Sequence, residues 1–223
     1  MINFNLLKSP FFILKQIQLN MLKKNSGLIT GSVIDIGSGV APYKVAIEFD
    51  KYTTLDIASL DGVDVVGDIA SAPFSEDTFD TAIVTEVLEH VFYPDRALGE
   101  IKRVIRPGGI IYLTVPMTWP LHYEPNDYWR FTKYSLIKLV EAAGLELISV
   151  ERVGGVFSLI GARGVDFLFE AIKRLLYFLS AKNAERVAIL LVLPGSLLFY
   201  FLGILLDRFD ERDALGWVVV ARV

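Results

Sequence analysis

The sequence predicts an α/β fold: a doubly wound sheet, mostly parallel with an antiparallel last strand, and a hydrophobic helical insertion before that strand. Three observations carry the prediction. Over residues 32–150, short β-rich runs bounded by Gly, Asp or Pro alternate with helical stretches, the pattern of a parallel sheet covered on both faces. A turn bearing Gly37 and Gly39 directly follows the first of those runs. The last two β-rich runs, "LELISVERV" and "GWVVVARV", stand far apart, with the most apolar part of the chain between them.

The elements follow in order. "SPFFILKQIQLNMLKK" reads as a helix: Ser9 caps it, Pro10 suits its first turn and lysines sit at its end. On a helical wheel Phe11, Leu14, Ile17, Met21 and Leu22 share a face, blurred by Phe12 and Ile13. Lys8, Lys15, Lys23 and Lys24 all precede the first acid, Asp35. The helix therefore either packs on its own domain or lies on an anionic membrane surface. No small-residue cleavage site follows, so a secretory signal is not expected. "SVIDIG", "YTTLDI", "VDVVGDI", "FDTAIVTE" and "GIIYLTVP" read as strands, and "PDRALGEIKRVI" and "KYSLIKLVEAAG" as helices, the second stopped by Gly144. Three parts result: an N-terminal basic amphipathic helix in residues 1–30, a domain of residues 31–155 and 214–223, and the insertion in residues 156–213.

Composition narrows the function. The 223 residues carry a net charge of −4, so no broad basic field selects nucleic acid. There is no cysteine, which removes disulfides, thiolate metal sites and a cysteine nucleophile. With two histidines a multi-histidine metal site is not expected, and no metal is assigned. Hydrophobic residues make up 53% of the chain and the mean hydropathy is +0.46, an excess that needs an explanation by position.

The glycine turn selects a cofactor class. A dinucleotide turn wants G-x-G-x-x-G/A with a helix N-terminus facing a pyrophosphate. Here Pro42 stands in the third small-residue place and removes a donor. Asp35, two residues before the first glycine, would oppose a pyrophosphate and suits a ligand carrying positive charge. S-adenosylmethionine, with its ammonium and sulfonium groups, is such a ligand. "VIDIGSGVA" resembles the first motif of the class I S-adenosylmethionine-dependent methyltransferases, D/E-x-G-x-G-x-G, with Ala41 in the last glycine place. The resemblance continues through "LDIA", "GDIASAPFSEDTFD", "VTEVLEHV" and "RVIRPGGIIYLTVP", and is nearest to the small-molecule and quinone-ring subgroup. It implies a Rossmann-like sheet and S-adenosyl-L-methionine as the cofactor.

Site residues follow from both lines. Asp56, about 20 residues after the glycine turn, is placed to accept both ribose hydroxyls, with Ile57 beside it. The resemblance assigns the adenine amine to Asp68 and a ring contact to the backbone of Ile69. Gly37, Ser38 and Gly39 should expose backbone beside the methionine part of the cofactor, as should Thr85 and Glu86. Asp35 acts through water or by fixing the turn. His90 either faces the substrate pocket as a base or is a histidine bonded at a helix start.

The segment "VPMTWPLHYEPNDYWRFT" follows the fifth strand and should wall the pocket. It resembles a recurring H-x-x-P-x-D-Y/F-W-R-F run of substrate-recognising loops in that family. His122 is the candidate base or substrate partner, and Tyr123, Asp127, Tyr128, Trp129 and Arg130 are candidate substrate contacts. Alternatively, Asp127 and Arg130 pair to stiffen the loop while the aromatics pack; both can hold at once.

The insertion accounts for the excess hydropathy. "GVDFLFEAIKRLLYFLS" is an amphipathic helix pattern, and residues 188–206 are uncharged and long enough to span a bilayer. A single crossing would strand the last strand on the wrong side, and Asp166, Glu170, Lys173 and Arg174 bar a return crossing. Pro194-Gly195 is expected to split the uncharged run into two pieces, each too short to span. The expectation is peripheral contact with the inner face of a membrane from the cytoplasm, with a small-molecule or lipid-linked acceptor and no nucleic acid. A helical lid or a dimer interface would bury the same faces, and the rival function is a non-catalytic methyltransferase-like binding protein recruited through the insertion.

Overall fold

A computed structural model describes residues 2–3, 5–39, 41 and 43–223; Pro42 lies outside the described residues. Seven strands form one sheet: β1 (Ser32–Ile36), β2 (Lys51–Asp56), β3 (Val65–Val66), β4 (Phe79–Thr85), β5 (Ile105–Pro116), β6 (Glu146–Val153) and β7 (Gly216–Arg222). Their order is β3-β2-β1-β4-β5-β7-β6. β1 pairs parallel with β2 and β4, and β5 parallel with β4, while β7 runs antiparallel beside β5 from Ile110↔Arg222 to Pro116↔Gly216. The final strand therefore enters between β5 and β6. The central strands are β-branched and nearly continuous in apolar character because helices cover both faces of such a sheet; Val33, Ile34, Ala82, Ile83 and Val84 are fully buried.

The expected helices form α2 (Pro94–Val104) and α3 (Lys133–Ala142). Pro94 opens α2, where a missing N–H costs nothing, and Ala97, Leu98, Ile101 and Val104 bury its apolar stripe. Thr132 and Ser135 form a reciprocal cap at the start of α3, and Gly144, at φ +66°, follows its end. The sheet order reverses between β1 and β4, so the crevice at the carboxyl ends of β1, β2 and β4 is the place for a ligand.

The chain divides into two compact units. Residues 21–151 and 216–223 hold the sheet just described; residues 1–20 and 152–215 form the other. In the second unit α4 (Val156–Leu175) and α5 (Ala181–Leu206) fold back on each other. A side chain at Gly161, early in α4, would collide with Phe199, late in α5, so the two helices approach at near-backbone distance there. Asp207 accepts from the amides of Phe157 and Ser158 and from the Ser158 hydroxyl, satisfying the first turn of α4.

Two sequence expectations are corrected here. Pro194-Gly195 does not split the uncharged run: α5 is one helix of 26 residues passing through Pro194. A buried stripe of Ala184, Ala188, Val192, Ser196, Tyr200 and Gly203, spaced by about one helical turn, holds it together despite the proline. The first helix, α1 (Phe12–Asn25), begins beyond Ser9 and Pro10, and its inner face matches the expected one only in part, at Leu22. Phe12, Ile13, Gln16 and Leu19 are buried, whereas Phe11 is exposed. Tyr200 sets that choice: its ring packs edge-on against Phe12 at 5.4 Å and its hydroxyl accepts from Asn20 at 2.9 Å.

Candidate active site

The crevice at the switch point is a cleft of about 400 Å³, a size that suits a small organic ligand. Its floor comes from the strand ends: Ile36 and Gly37 from β1, Leu55 and Asp56 from β2, and Gly67 and Asp68 after β3. Val87, His90, Val91 and Phe92 close it from the β4 side, with Tyr93, Arg96 and Tyr128 at its rim. Gly37 sits at φ +66° and Gly39 at φ +50°. A Cβ at Gly37 would run into Val87 Cγ2, so only glycine lets the turn pass this close. Ala41, in the last glycine place of the motif, also holds a positive φ of 47°, unusual for alanine.

Of the expected cofactor residues, Gly37, Asp56, Ile57, Asp68 and Ile69 line the cleft. Asp56 fixes the glycine turn as well, accepting from Gly39 N and from Ala58 N, both at 2.9 Å. Asp68 accepts from Ala70 N at 2.8 Å and so caps the short turn Ile69–Ser71. Asp35 is not on the cleft wall. It is 2% exposed, accepts from the Tyr52 hydroxyl at 2.6 Å, and burial pushes its carboxyl up to about 6. Ser38 is buried and its hydroxyl has no hydrogen-bond partner among the described residues. Thr85 and Glu86 are not among the lining residues; the Glu86 amide donates to Thr114 O and its carboxylate accepts from the Thr114 hydroxyl at 2.8 Å.

The segment after β5 turns back onto the short helical turn Leu88–His90. Tyr128 N and Trp129 N both donate to Glu89 O, and the Trp129 indole donates to Val91 O at 3.0 Å. Arg130 clamps the loop, with a two-pronged pair to Asp127 at 2.7 and 2.8 Å and further donation to Trp119 O and Pro120 O. Asp127 in turn accepts from His122 N at 2.9 Å, and Arg130 holds its carboxyl well below the usual range. Asp127 and Arg130 thus pair as the loop-stiffening reading expects, and Tyr128 is the member of this loop that reaches the cleft. Trp129 is directed to Val91, and Tyr123 stands 80% exposed with its ring 5.4 Å from His90.

The loop brings the two histidines together: the rings of His90 and His122 lie 4.7 Å apart, edge to face. Beside them lies a residue the sequence reading passed over. Glu89 is completely buried, neither carboxylate oxygen has a hydrogen-bond partner among the described residues, and burial, with Glu86 nearby, pushes it up to about 9. The signal was present: an acid inside the apolar run "TEVLEHV" has to go somewhere. Tyr52, Tyr93 and Arg96 were also missed, since nothing in their local sequence points at a site.

Comparison with known proteins agrees with this geometry. Residues 34–113 match the family described as "Methyltransferase domain". A demethylmenaquinone methyltransferase of Clavibacter sepedonicus is 33% identical over 90 residues, covering 39% of this chain and 37% of that protein. The chloroplastic 2-methyl-6-phytyl-1,4-hydroquinone methyltransferase 1 of Oryza sativa subsp. japonica is 25% identical over 142 residues, covering 55% of this chain and 43% of its own length. The chain thus spans less than half the length of either relative. Phosphoethanolamine N-methyltransferase 2 of Haemonchus contortus, solved with S-adenosyl-L-methionine, superposes with a TM-score of 0.59 at 17% identity, over 96% of this chain and 56% of that one. Residues 34–113 thus resemble a methyltransferase domain, and the fold is one shared with a solved S-adenosylmethionine-bound methyltransferase.

The residues of this domain fit that cofactor. The missing Cβ at Gly37 lets the turn pack directly on Val87 at the cleft, and the Ser38 hydroxyl, without a partner among the described residues, sits in the same turn. Asp56 and Asp68 bring carboxylates to a lining that is otherwise mainly apolar, as a cationic nucleoside requires.

Proposed function

We propose that this chain transfers a methyl group from S-adenosylmethionine to a small or lipid-linked acceptor, working at the inner face of a membrane. The observation that carries the reading is Asp56 on the cleft wall while it also anchors Gly39 of the glycine turn. When bound, the cofactor supplies an activated methyl on its sulfonium. What remains for the protein is alignment and exclusion of water. Gly37 and Gly39 offer backbone to the amino-acid end, Asp56 takes the ribose hydroxyls, and Asp68 and Ile69 take the adenine. His90 opens on the cleft and brings His122 with it, so the acceptor's nucleophile meets the histidine pair as a base or a hydrogen-bond partner. Tyr128 and the clamped loop around Asp127 and Arg130 wall the acceptor in.

A small-molecule acceptor is supported by the relatives named for demethylmenaquinone and for a phytyl-bearing hydroquinone. The membrane part rests on the second unit alone. Within residues 181–209, the most apolar 18-residue stretch has a mean hydropathy of 2.5, and 22% of that stretch is buried. Leu190, Leu198, Phe201 and Leu205 on α5 and Phe167, Leu168 and Leu175 on α4 stand exposed. Unbroken, α5 is about 39 Å long, enough to cross a bilayer. Its partner carries Asp166, Glu170, Lys173 and Arg174, so an interfacial pair is the arrangement with the smaller charge penalty.

Calorimetry with S-adenosylhomocysteine tests the cofactor assignment. Saturable binding is expected, weakened about tenfold or more by Asp56→Ala, equivalent to about 1.4 kcal/mol. Absence of binding by the intact chain removes the proposal.

A further inference from the structure

We propose that Glu89, His90 and His122 form a binding site for one divalent transition-metal ion, open to the cleft. The three residues each offer a ligand atom, and these atoms lie within 4.8 Å of one another. Glu89 Oε1 and His90 Nε2 are 3.8 Å apart, too far for a hydrogen bond and close to the spacing of two ligands on one ion, about 3–3.5 Å for bonds of about 2.0–2.1 Å.

The tautomers are already set. His90 Nδ1 stands 2.6 Å from Asn126 O, and a carbonyl only accepts, so Nδ1 carries the proton and Nε2 keeps its lone pair. His122 Nδ1 stands 3.1 Å from Pro120 O and 3.3 Å from Asp127 Oδ2, which fixes its proton in the same way. Histidine ligands carry this second contact as a rule, from ring N–H to a carbonyl or carboxylate. Asp127 is held in turn by Arg130, so the orientation of His122 does not depend on solvent.

Glu89 is the independent observation. Its side chain is fully buried and, among the described residues, neither oxygen has a partner. A buried, unbonded carboxyl is costly and uncommon, and an ion at this place accounts for it. Two imidazoles and one carboxylate are a donor set for Zn²⁺, Mn²⁺ or Fe²⁺, not for Ca²⁺ or Mg²⁺, which take oxygen cages. Three protein ligands leave positions for another molecule, and His90 lines the cleft, so those positions face the acceptor. The acceptor class is then one with a hydroxyl or phenol whose oxygen would coordinate the ion and would release its proton to water more easily there, leaving the oxygen to take the methyl. This last step rests on the methyltransferase reading and makes the histidines ligands instead of bases. The metal site itself does not depend on that reading.

The test uses the untagged full chain, stripped with a chelator and titrated calorimetrically with Zn²⁺ and with Mn²⁺ in the absence of cofactor. One equivalent should bind, and Glu89→Gln and His122→Ala should each weaken it about tenfold or more. Glu89→Gln keeps the side chain's shape and removes an acid that no group bonds, so the metal-free variant should melt no lower than the wild type. Added Zn²⁺ should raise the melting temperature of the wild type and not that of the variants. Failure of both ions to bind stoichiometrically, or binding that Glu89→Gln leaves unchanged, overturns the site. S-adenosylhomocysteine binding is measured on the same metal-free protein. Its loss removes the methyltransferase proposal and leaves the metal result standing.

Discussion

Tyr52 on β2 donates its phenolic hydrogen to Asp35 Oδ2 on β1, at 2.6 Å and out of reach of solvent. The bond ties the acid that precedes the glycine turn to the neighbouring strand, so Asp35 acts on the cleft by holding the turn rather than by lining it. Burial outweighs the bond: the carboxyl is raised from its ordinary 3.8 to about 6. A carboxyl with a raised folded-state value takes up its proton on folding between about pH 6 and pH 4. Wild-type stability should therefore rise as the pH falls through that window, and lose the increment as the pH climbs through 6.

Asp35→Asn keeps an acceptor for Tyr52 and removes the charge. At about pH 7.5 it should stabilise the fold by about 1–3 kcal/mol, with the advantage shrinking toward pH 5 as the wild type protonates. Guanidinium unfolding at the two pH values measures both numbers. A destabilised variant at pH 7.5 would mean that the ionised Asp35–Tyr52 bond is worth more than the desolvation it has to offset.

Gly37 carries two separable constraints, a positive φ of 66° and a missing Cβ against Val87. Gly37→Ala should cost about 1–3 kcal/mol of stability and at least about tenfold in S-adenosylhomocysteine affinity. Adding Val87→Ala relieves the collision but not the backbone strain. The double variant should recover part of the loss, and the coupling between the two substitutions reports the steric share.

The course of the sheet was readable because β-branched runs, glycine turns and proline boundaries are local signals, and the cleft acids Asp56 and Asp68 sit at the strand ends where those signals put them. The site's second half was not readable locally. His90 and His122 meet only because the loop reverses through Tyr123, at φ +53°, and is locked by Arg130 onto Asp127 and two carbonyls. Glu89 gives no periodic signal, since its burial depends on that loop returning over it. Pro194 was misread for a related reason. A breaker rule weighs one lost hydrogen bond, whereas the stripe from Ala184 to Gly203 packs along the whole helix.

Arg130 offers a direct check on the loop. Its guanidinium serves Asp127 twice and the carbonyls of Trp119, Pro120 and Trp129, a fan that a lysine ammonium cannot reproduce. Arg130→Lys should cost about 1–3 kcal/mol and open residues 117–131 to proteolysis, while S-adenosylhomocysteine affinity stays near wild type. Equal loss of cofactor affinity would place the loop in the cofactor pocket instead of over the acceptor.

The exposed apolar face of the α4–α5 pair makes the last prediction. Leu190, Leu198 and Leu205 stand exposed beside the buried stripe, so replacing all three by serine leaves the packing between the helices intact. Each leucine withdrawn from water contributes about 1.5–3 kcal/mol, so the triple substitution should remove several kcal/mol of membrane affinity and almost none of the unfolding free energy. The wild-type chain should float with liposomes and the triple variant should stay at the bottom of the gradient, with equal melting temperatures and equal S-adenosylhomocysteine binding. If neither floats and the wild type alone elutes as a dimer in size-exclusion chromatography, the face is a contact between two copies and the membrane proposal fails. The two outcomes divide cleanly because a bilayer withdraws the face from water without a second chain, whereas a dimer interface dissolves on dilution.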